Sequence, residues 1–329
     1  MTGNAQQPTD DISKRFSGRN VVVTGGAGFV GSHLAEALVT ANANVVVADS
    51  LASGSLANLS RMNQPHFVNT TLGDDDELAR VMVDAEFVFH CAANAYVPPS
   101  VKDPMYDFEL NLRLPLRILE WCRLKSPLTR VLLFSSGAIY GNPRYVPMDE
   151  EHPTAPISPY GVSKLAADRY GAVYAQLYSL QVASLRCFPV YGPRQRKQVV
   201  YDLMQRMKAG KGRVTVLGDG TQVRDFCFVE DMARAAMTIA AVAPLEGEAW
   251  NAGGGEGVSI QELVVRIGRA LKLEAQATFT GKVRPGDPEA MVADISRLRQ
   301  LGWSPMVGID EGLARTATWL DQDEVPVEQ

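Results

Sequence analysis

The stretch Val21-Val22-Val23-Thr24-Gly25-Gly26-Ala27-Gly28-Phe29-Val30-Gly31 constrains the fold more than any other. It joins an apolar run of strand type directly to a glycine-rich turn, and the turn to a helix. Gly25 permits a tight turn, Gly28 lets backbone approach a ligand with no Cβ in the way, and Gly31 lets the following helix pack closely on the strand. Free N–H groups at the start of that helix, at Phe29 and Val30, favour negative charge. This order of elements predicts an α/β sheet with a dinucleotide's pyrophosphate seated at its edge.

The spacing Gly25-x-x-Gly28-x-x-Gly31 differs from G-x-G-x-x-G, so context carries the reading. A second strand, Asn44-Val45-Val46-Val47-Ala48, ends on Asp49, roughly twenty residues past the turn, where an acidic group bonds the adenine ribose hydroxyls and repels a 2′-phosphate. NAD is therefore expected rather than NADP.

The 329 residues, 46% hydrophobic and 21% charged, suffice for a large core divided between a main domain and a smaller one. A formal net charge of −5 with no basic run argues against nucleic-acid binding. No apolar run is long enough to span a bilayer, and Met1 to Ser17 is polar with no hydrophobic signal region. A cytoplasmic protein with a disordered leader over residues 1–18 is expected. Cys91, Cys122, Cys187 and Cys227 are widely spaced within apolar patterns and read as buried free thiols. His33, His66, His90 and His152 form no ligand pair at helical spacing, so no metal is expected.

Strands and helices alternate through the first half, the pattern of a parallel sheet covered on both faces. Strands are predicted at Asn20–Thr24, Asn44–Asp49, His66–Asn69, Glu86–Cys91, Arg130–Ser135 and Gln181–Arg186, and helices at Phe29–Thr40, Asp75–Val83, Asp103–Lys125 and Ser158–Tyr178. From about Pro189, Gly/Pro-rich segments separate shorter elements, the texture of a substrate-capping domain. The division predicted is a doubly wound, Rossmann-type cofactor domain over 19–188 with a later contribution from 226–256. A smaller α/β substrate domain takes 189–225 and 257–321, and 322–329 form a tail.

The chemistry is expected at the carboxyl ends of the strands. After Val131-Leu132-Leu133-Phe134, the turn Ser135-Ser136-Gly137-Ala138 brings two hydroxyls to that edge. Further on, Pro159-Tyr160-Gly161-Val162-Ser163-Lys164 opens a helix with Tyr160 and Lys164 at i and i+4, on one face. A free tyrosine titrates near pH ~10, too high for a base at neutrality, but an ammonium and an oxidised nicotinamide nearby would stabilise the tyrosinate. Tyr160 could then take a substrate hydroxyl's proton while Ser136 bonds the same oxygen.

With these segments in order, the chain resembles the extended short-chain dehydrogenase/reductases, specifically their nucleotide-sugar epimerases and dehydratases, from about Asn20 to Leu320. The likeness rests on Thr24–Gly31, Asp49-Ser50-Leu51-Ala52-Ser53-Gly54, His90-Cys91-Ala92-Ala93, Ser135–Gly141, Ser158–Lys164 and Leu185–Arg194. It implies a catalytic set of Ser136, Tyr160 and Lys164. It implies cofactor contacts at Ser50, Ser53, Gly54 and Phe188, with Asp74 and Asp75 bordering the adenine and Ala92, Ala93 and Asn111 along the cofactor. Arg224 and Arg284 would grip a sugar nucleotide's diphosphate, since guanidinium forks bind phosphate oxygens bidentately, and Asp287 would also touch substrate. A homodimer is implied as well, joined through the helices at Asp103–Lys125 and Ser158–Tyr178, whose apolar residues exceed what one buried face needs.

Dehydratases and decarboxylases of that family carry an acidic residue just after the catalytic Ser/Thr; here Gly137 and Ala138 follow Ser136. Tyr160 with NAD suffices for oxidation at C4, rotation of the 4-keto sugar and return of hydride to its other face. A nucleoside-diphosphate-sugar 4-epimerase is thus the leading expectation. A 4,6-dehydratase, a 4-keto-sugar reductase and a non-catalytic NAD sensor of the same fold are the alternatives. Pro189 stands where many family members have a substrate-touching asparagine; it offers neither a side-chain amide nor a backbone N–H, so the sugar or its pose is expected to differ from UDP-galactose.

Overall fold

Seven parallel strands form the main sheet, and their valine-rich sequences explain why both faces are covered. In the computed structural model, which describes residues 8–63, 65–282 and 288–323, the first six strands are β1 (Asn20–Thr24), β2 (Asn44–Asp49), β3 (His66–Asn69), β4 (Phe87–His90), β5 (Arg130–Ser136) and β6 (Gln181–Cys187). The seventh, Glu246–Ala252, lies beside β6, giving the order Glu246–Ala252, β6, β5, β4, β1, β2, β3. In β1, Val21 and Val23 enter one core with Leu34, Leu38, Met232 and Ile239. Val22 enters the opposite core with Met82, Ile118, Leu119 and Val182. The period of two along the strand thus serves both layers at once.

After β3 the chain crosses to the far side of β1, so the strand order reverses between β1 and β4, and loops diverging there open a crevice at the carboxyl edge. Gly25, with φ +66°, has so little room beside the loop after β4 that a Cβ would lie 2.6 Å from Ala92 N.

Two expectations need correction. From residue 8 the leader is ordered: Pro8–Lys14 is helical, and Phe16 is fully buried with its ring centroid 4.9 Å from that of Phe87. Its polar neighbours hid this one apolar anchor, whose burial stabilises the fold by about 1.5–3 kcal/mol. Nor is Asp103–Lys125 one helix. It runs as Pro104–Phe108, a π-helical turn at Glu109–Arg113 and then Leu114–Lys125. Pro115 has no N–H for the Asn111 carbonyl, and the chain accommodates this by widening the turn around Asn111.

Beyond Cys187 a separate apolar core gathers Tyr191, Leu203, Met204, Met207, Leu263, Ile267 and Leu313. Helices Val199–Ala209, Ile260–Leu271 and Ile309–Asp323 surround it. Its strands are short: Val223–Asp225 between Gly257–Ser259 and Ala290–Met291, and Arg213–Val216 beside Gln276–Phe279. Between these pieces the helix Val229–Val242 and the strand Glu246–Ala252 return to the main sheet. No helix among the described residues is long and apolar enough to cross a membrane.

Candidate active site

The crevice is built from main chain before side chains. A Cβ on Gly31 would fall 2.2 Å from Gly25 O, so the helix Phe29–Thr40 can approach only through glycine; on Gly28 it would meet nothing closer than Gly25 O at 3.1 Å. That helix has no side-chain cap, which leaves its first N–H groups for a ligand. Asp49 braces the turn: its Oδ2 accepts from Ala27 N at 3.0 Å and its Oδ1 from Leu51 N at 2.8 Å. Gly54 packs so close that a Cβ there would lie 2.8 Å from Asp49 Oδ1. Ser50 and Ser53 are exposed beside it. Thr24 ties β1 to β4, its hydroxyl accepting from Ala92 N at 3.3 Å and bonding His90 Nδ1 at 2.8 Å. Burial holds the His90 imidazole neutral, its pKa lowered to about 3. A glycine cradle, uncapped helix N–H groups and an acid at the end of β2 together fit a dinucleotide.

Beyond that cradle, at the tip of β5, the turn Gly137–Ile139 begins with Ser136, whose Oγ accepts from Ala138 N at 3.1 Å. The long helix Pro159–Tyr178 starts with Ser158 as its cap and Pro159 in its first turn. A Cβ on Gly161 would lie 2.7 Å from Ala138 O, so glycine brings this helix against the Ser136 turn and Tyr160 beside Ser136. Tyr160 N also donates to Ser100 Oγ at 3.1 Å. One turn on, buried Lys164 donates from Nζ to Phe134 O at 2.8 Å. Ser136, Tyr160 and Lys164 are therefore one constellation.

Burial pushes the Tyr160 phenol up to about 12, opposed by a hydrogen bond with Ser136 and reinforced by Cys187 and Asp107. Lys164 is lowered by the same desolvation to about 8, with Cys187, Asp107 and Cys91 acting the other way. Burial thus dominates at Tyr160, opposite in direction to the drop expected from an adjacent ammonium.

Behind β5 lies a network the sequence reading missed. Arg186 Nε donates to Asp168 Oδ2 at 2.9 Å, both side chains being buried, and Arg186 Nη1 donates to Tyr140 Oη at 2.9 Å. Tyr140 in turn donates to Asn251 Oδ1 at 2.7 Å. These bonds join β6, Glu246–Ala252, the long helix and Tyr140 at the end of the turn after β5.

Other expected residues are placed as follows. Ala92 and Ala93 are partly exposed after β4. Asn111 is buried and bonded to Asp107 and Asn94. Asp74 caps the helix Asp75–Met82 by accepting from Glu77 N, while exposed Asp75 pairs with Arg117 at 3.1 Å. Phe188 is buried, its ring 3.2 Å from where a Gly137 Cβ would stand, so it supports the turn. Arg224 is buried and donates from Nη1 to Val223 O at 2.8 Å. Arg284 and Asp287 lie outside the described residues. No group of three or more His, Cys, Asp or Glu among the described residues could hold a metal ion.

A Rossmann-type sheet carrying a serine, tyrosine and lysine at its carboxyl edge defines a nucleotide-cofactor oxidoreductase scaffold. Residues 21–253 match the family model for the NAD-dependent epimerase/dehydratase family, and the chain belongs to that family. It is 34% identical over 305 residues to a UDP-glucose 4-epimerase of Mycolicibacterium smegmatis, covering 90% of this chain and 96% of that one. The crystal structure of a Thermus thermophilus UDP-glucose 4-epimerase in complex with NAD superposes with a TM-score of 0.85 at 35% identity, covering 93% of this chain and all of the other. A UDP-glucuronic acid 4-epimerase from Bacillus cereus, in complex with UDP-4-deoxy-4-fluoro-glucuronic acid and NAD, also gives 0.85 at 30% identity, covering 92% of this chain and 99% of the other.

Proposed function

We propose that this protein is a UDP-sugar 4-epimerase in which Ser136, Tyr160 and Lys164 do the acid–base work. The observation that carries this reading is the constellation itself: Tyr160 beside Ser136 and one helical turn from Lys164, with Gly137 and Ala138, not an acid, following Ser136. Similarity to UDP-glucose and UDP-glucuronic acid 4-epimerases supports the sugar-nucleotide class.

Bound NAD, held by Gly25, Gly28, Phe29, Val30, Gly31 and Asp49, supplies the hydride acceptor and donor. Tyr160 takes the proton of the C4 hydroxyl and later returns it, and Ser136 hydrogen-bonds that oxygen throughout. Lys164, fixed through Phe134 O, keeps positive charge near the phenol.

Homodimer formation belongs to the same proposal. On the helix Pro159–Tyr178, Val162, Tyr170, Val173 and Leu177 are exposed and share one face, beside exposed Met105, Tyr106 and Phe108. A second copy is the expected cover, and a monomeric mass at micromolar concentration would remove this part of the reading.

The reaction is tested by mass spectrometry and proton NMR of the product from UDP-glucose and UDP-glucuronic acid. An isomer of unchanged mass, inverted at C4, is expected. A product lighter by water would make the enzyme a dehydratase, and one heavier by two hydrogens a reductase.

A further inference from the structure

Ser136 and Tyr140 are the two ends of one short turn, Gly137–Ile139: Ser136 caps its start, and Tyr140 N donates to Gly137 O at 3.2 Å at its end. Because Ser136 Oγ accepts from Ala138 N at 3.1 Å, the direction left for its own O–H depends on where that turn lies. The near end is set by β5. The far end is set by a side chain. Tyr140 is fully buried, and its Oη donates to Asn251 Oδ1 at 2.7 Å while accepting from Arg186 Nη1 at 2.9 Å. Burial pushes this phenol up to about 12, so it keeps the proton it donates.

Arg186 carries the connection further. Its Nη1 also donates to Glu150 O at 3.1 Å, its guanidinium lies 5.4 Å from the centroid of the Tyr140 ring, and its Nε donates to Asp168 Oδ2 at 2.9 Å. The same carboxylate oxygen accepts from Ser135 Oγ at 3.4 Å. On the helix Pro159–Tyr178, Tyr160, Lys164 and Asp168 recur at intervals of four and so share one side. Bonded side chains thus connect the helix that carries Tyr160 and Lys164 to the turn that carries Ser136.

On the reading of Ser136 and Tyr160 given above, we propose that Tyr140 is a positioning residue for the reaction: bonded to Arg186 and Asn251, it holds the Ser136 turn where the Ser136 and Tyr160 hydroxyls reach one substrate oxygen. Fully buried itself, it acts only through Ser136. A phenylalanine would fill the same space with no hydroxyl to satisfy, and a buried ion pair adds little net stability after its desolvation cost. What the polar version supplies is a fixed geometry.

The test is a double-mutant cycle on the NAD-loaded enzyme, with whichever of UDP-glucose and UDP-glucuronic acid it converts. Tyr140→Phe keeps the ring and removes the hydroxyl; Asn251→Ser withdraws the acceptor of that hydroxyl and serves if the first variant fails to fold. In either variant kcat is expected to fall by about 10-fold, less than the ~10²-fold that a full ångström of misplacement costs, with KM and NAD affinity unmoved. In the Ser136→Ala background the same substitution is expected to change kcat by less than about 2-fold, because the group it positions is gone. An unchanged kcat in the folded variant, or an equal loss with and without the Ser136 hydroxyl, would overturn the proposal and leave Tyr140 a packing residue. A Ser136→Ala enzyme as fast as the parent would instead overturn the acid–base reading beneath it.

Discussion

Along the carboxyl edge of the main sheet, each functional side chain sits at or just beyond the end of a strand or in the first turns of the helix that follows, and glycines set its distance to the next element. In the smaller part of the fold, Arg224 sits in a strand of three residues whose neighbours, Gly257–Ser259 and Ala290–Met291, come from other parts of the chain. The first arrangement is rigid because it belongs to a seven-stranded sheet buried on both faces. The second rests on short pairings around a smaller core. On the reading proposed above, the chemical steps would rest on the first part and the grip on substrate on the second.

The sharpest test of this division is Tyr160→Phe, expected to lower kcat by about 10⁴-fold or more while NAD stays bound by calorimetry, since loss of the acid–base group leaves the cradle untouched. Ser136→Ala should lower kcat by about 10²-fold with little change in NAD affinity. If Arg224 grips substrate as proposed, Arg224→Ala should raise KM for the sugar nucleotide by about 10-fold, the loss of one charged fork, and leave NAD affinity alone. A fall in melting temperature without a KM effect would break the comparison by making Arg224 structural.

The smallest effect concerns stability. Lys164 has its folded pKa lowered from 10.5 to about 8, so the unfolded chain binds more protons between those values, and stability should rise as pH climbs through that window. Lys164→Met should abolish that rise and melt slightly higher than the parent at pH 7, as read by calorimetry. Equal pH dependence in both proteins would show that the desolvation cost lies elsewhere.

Legibility in the sequence follows the same boundary. The bounds of β1, β2 and the helix Phe29–Thr40 match the expectation because each is fixed locally, by a valine run, an acidic end or a glycine turn. Ser136, Tyr160 and Lys164 were legible because strand-end and helical spacing place them without long-range information. Val190–Tyr191, Val223–Asp225 and Ala290–Met291 were not, being too short for a periodic signal and defined only by distant partners. Asp107 was hidden inside what reads as one amphipathic helix; Pro115, four residues past Asn111, was the signal that the helix must widen there. The Asp168–Arg186 pair left no local trace, because nothing in two residues eighteen apart, one on a helix and one on the next strand, announces that their charges meet.

The late return of Glu246–Ala252 to the side of β6 also orders events at birth. As the chain leaves the ribosome, the sheet must wait with β6 unpaired on one side while residues 188–245 emerge. Until then its free main-chain groups are a template for any passing strand. A nascent chain stalled between the two cores would be the species most exposed to aggregation, and the polypeptide cannot be cut there into two independently maturing pieces.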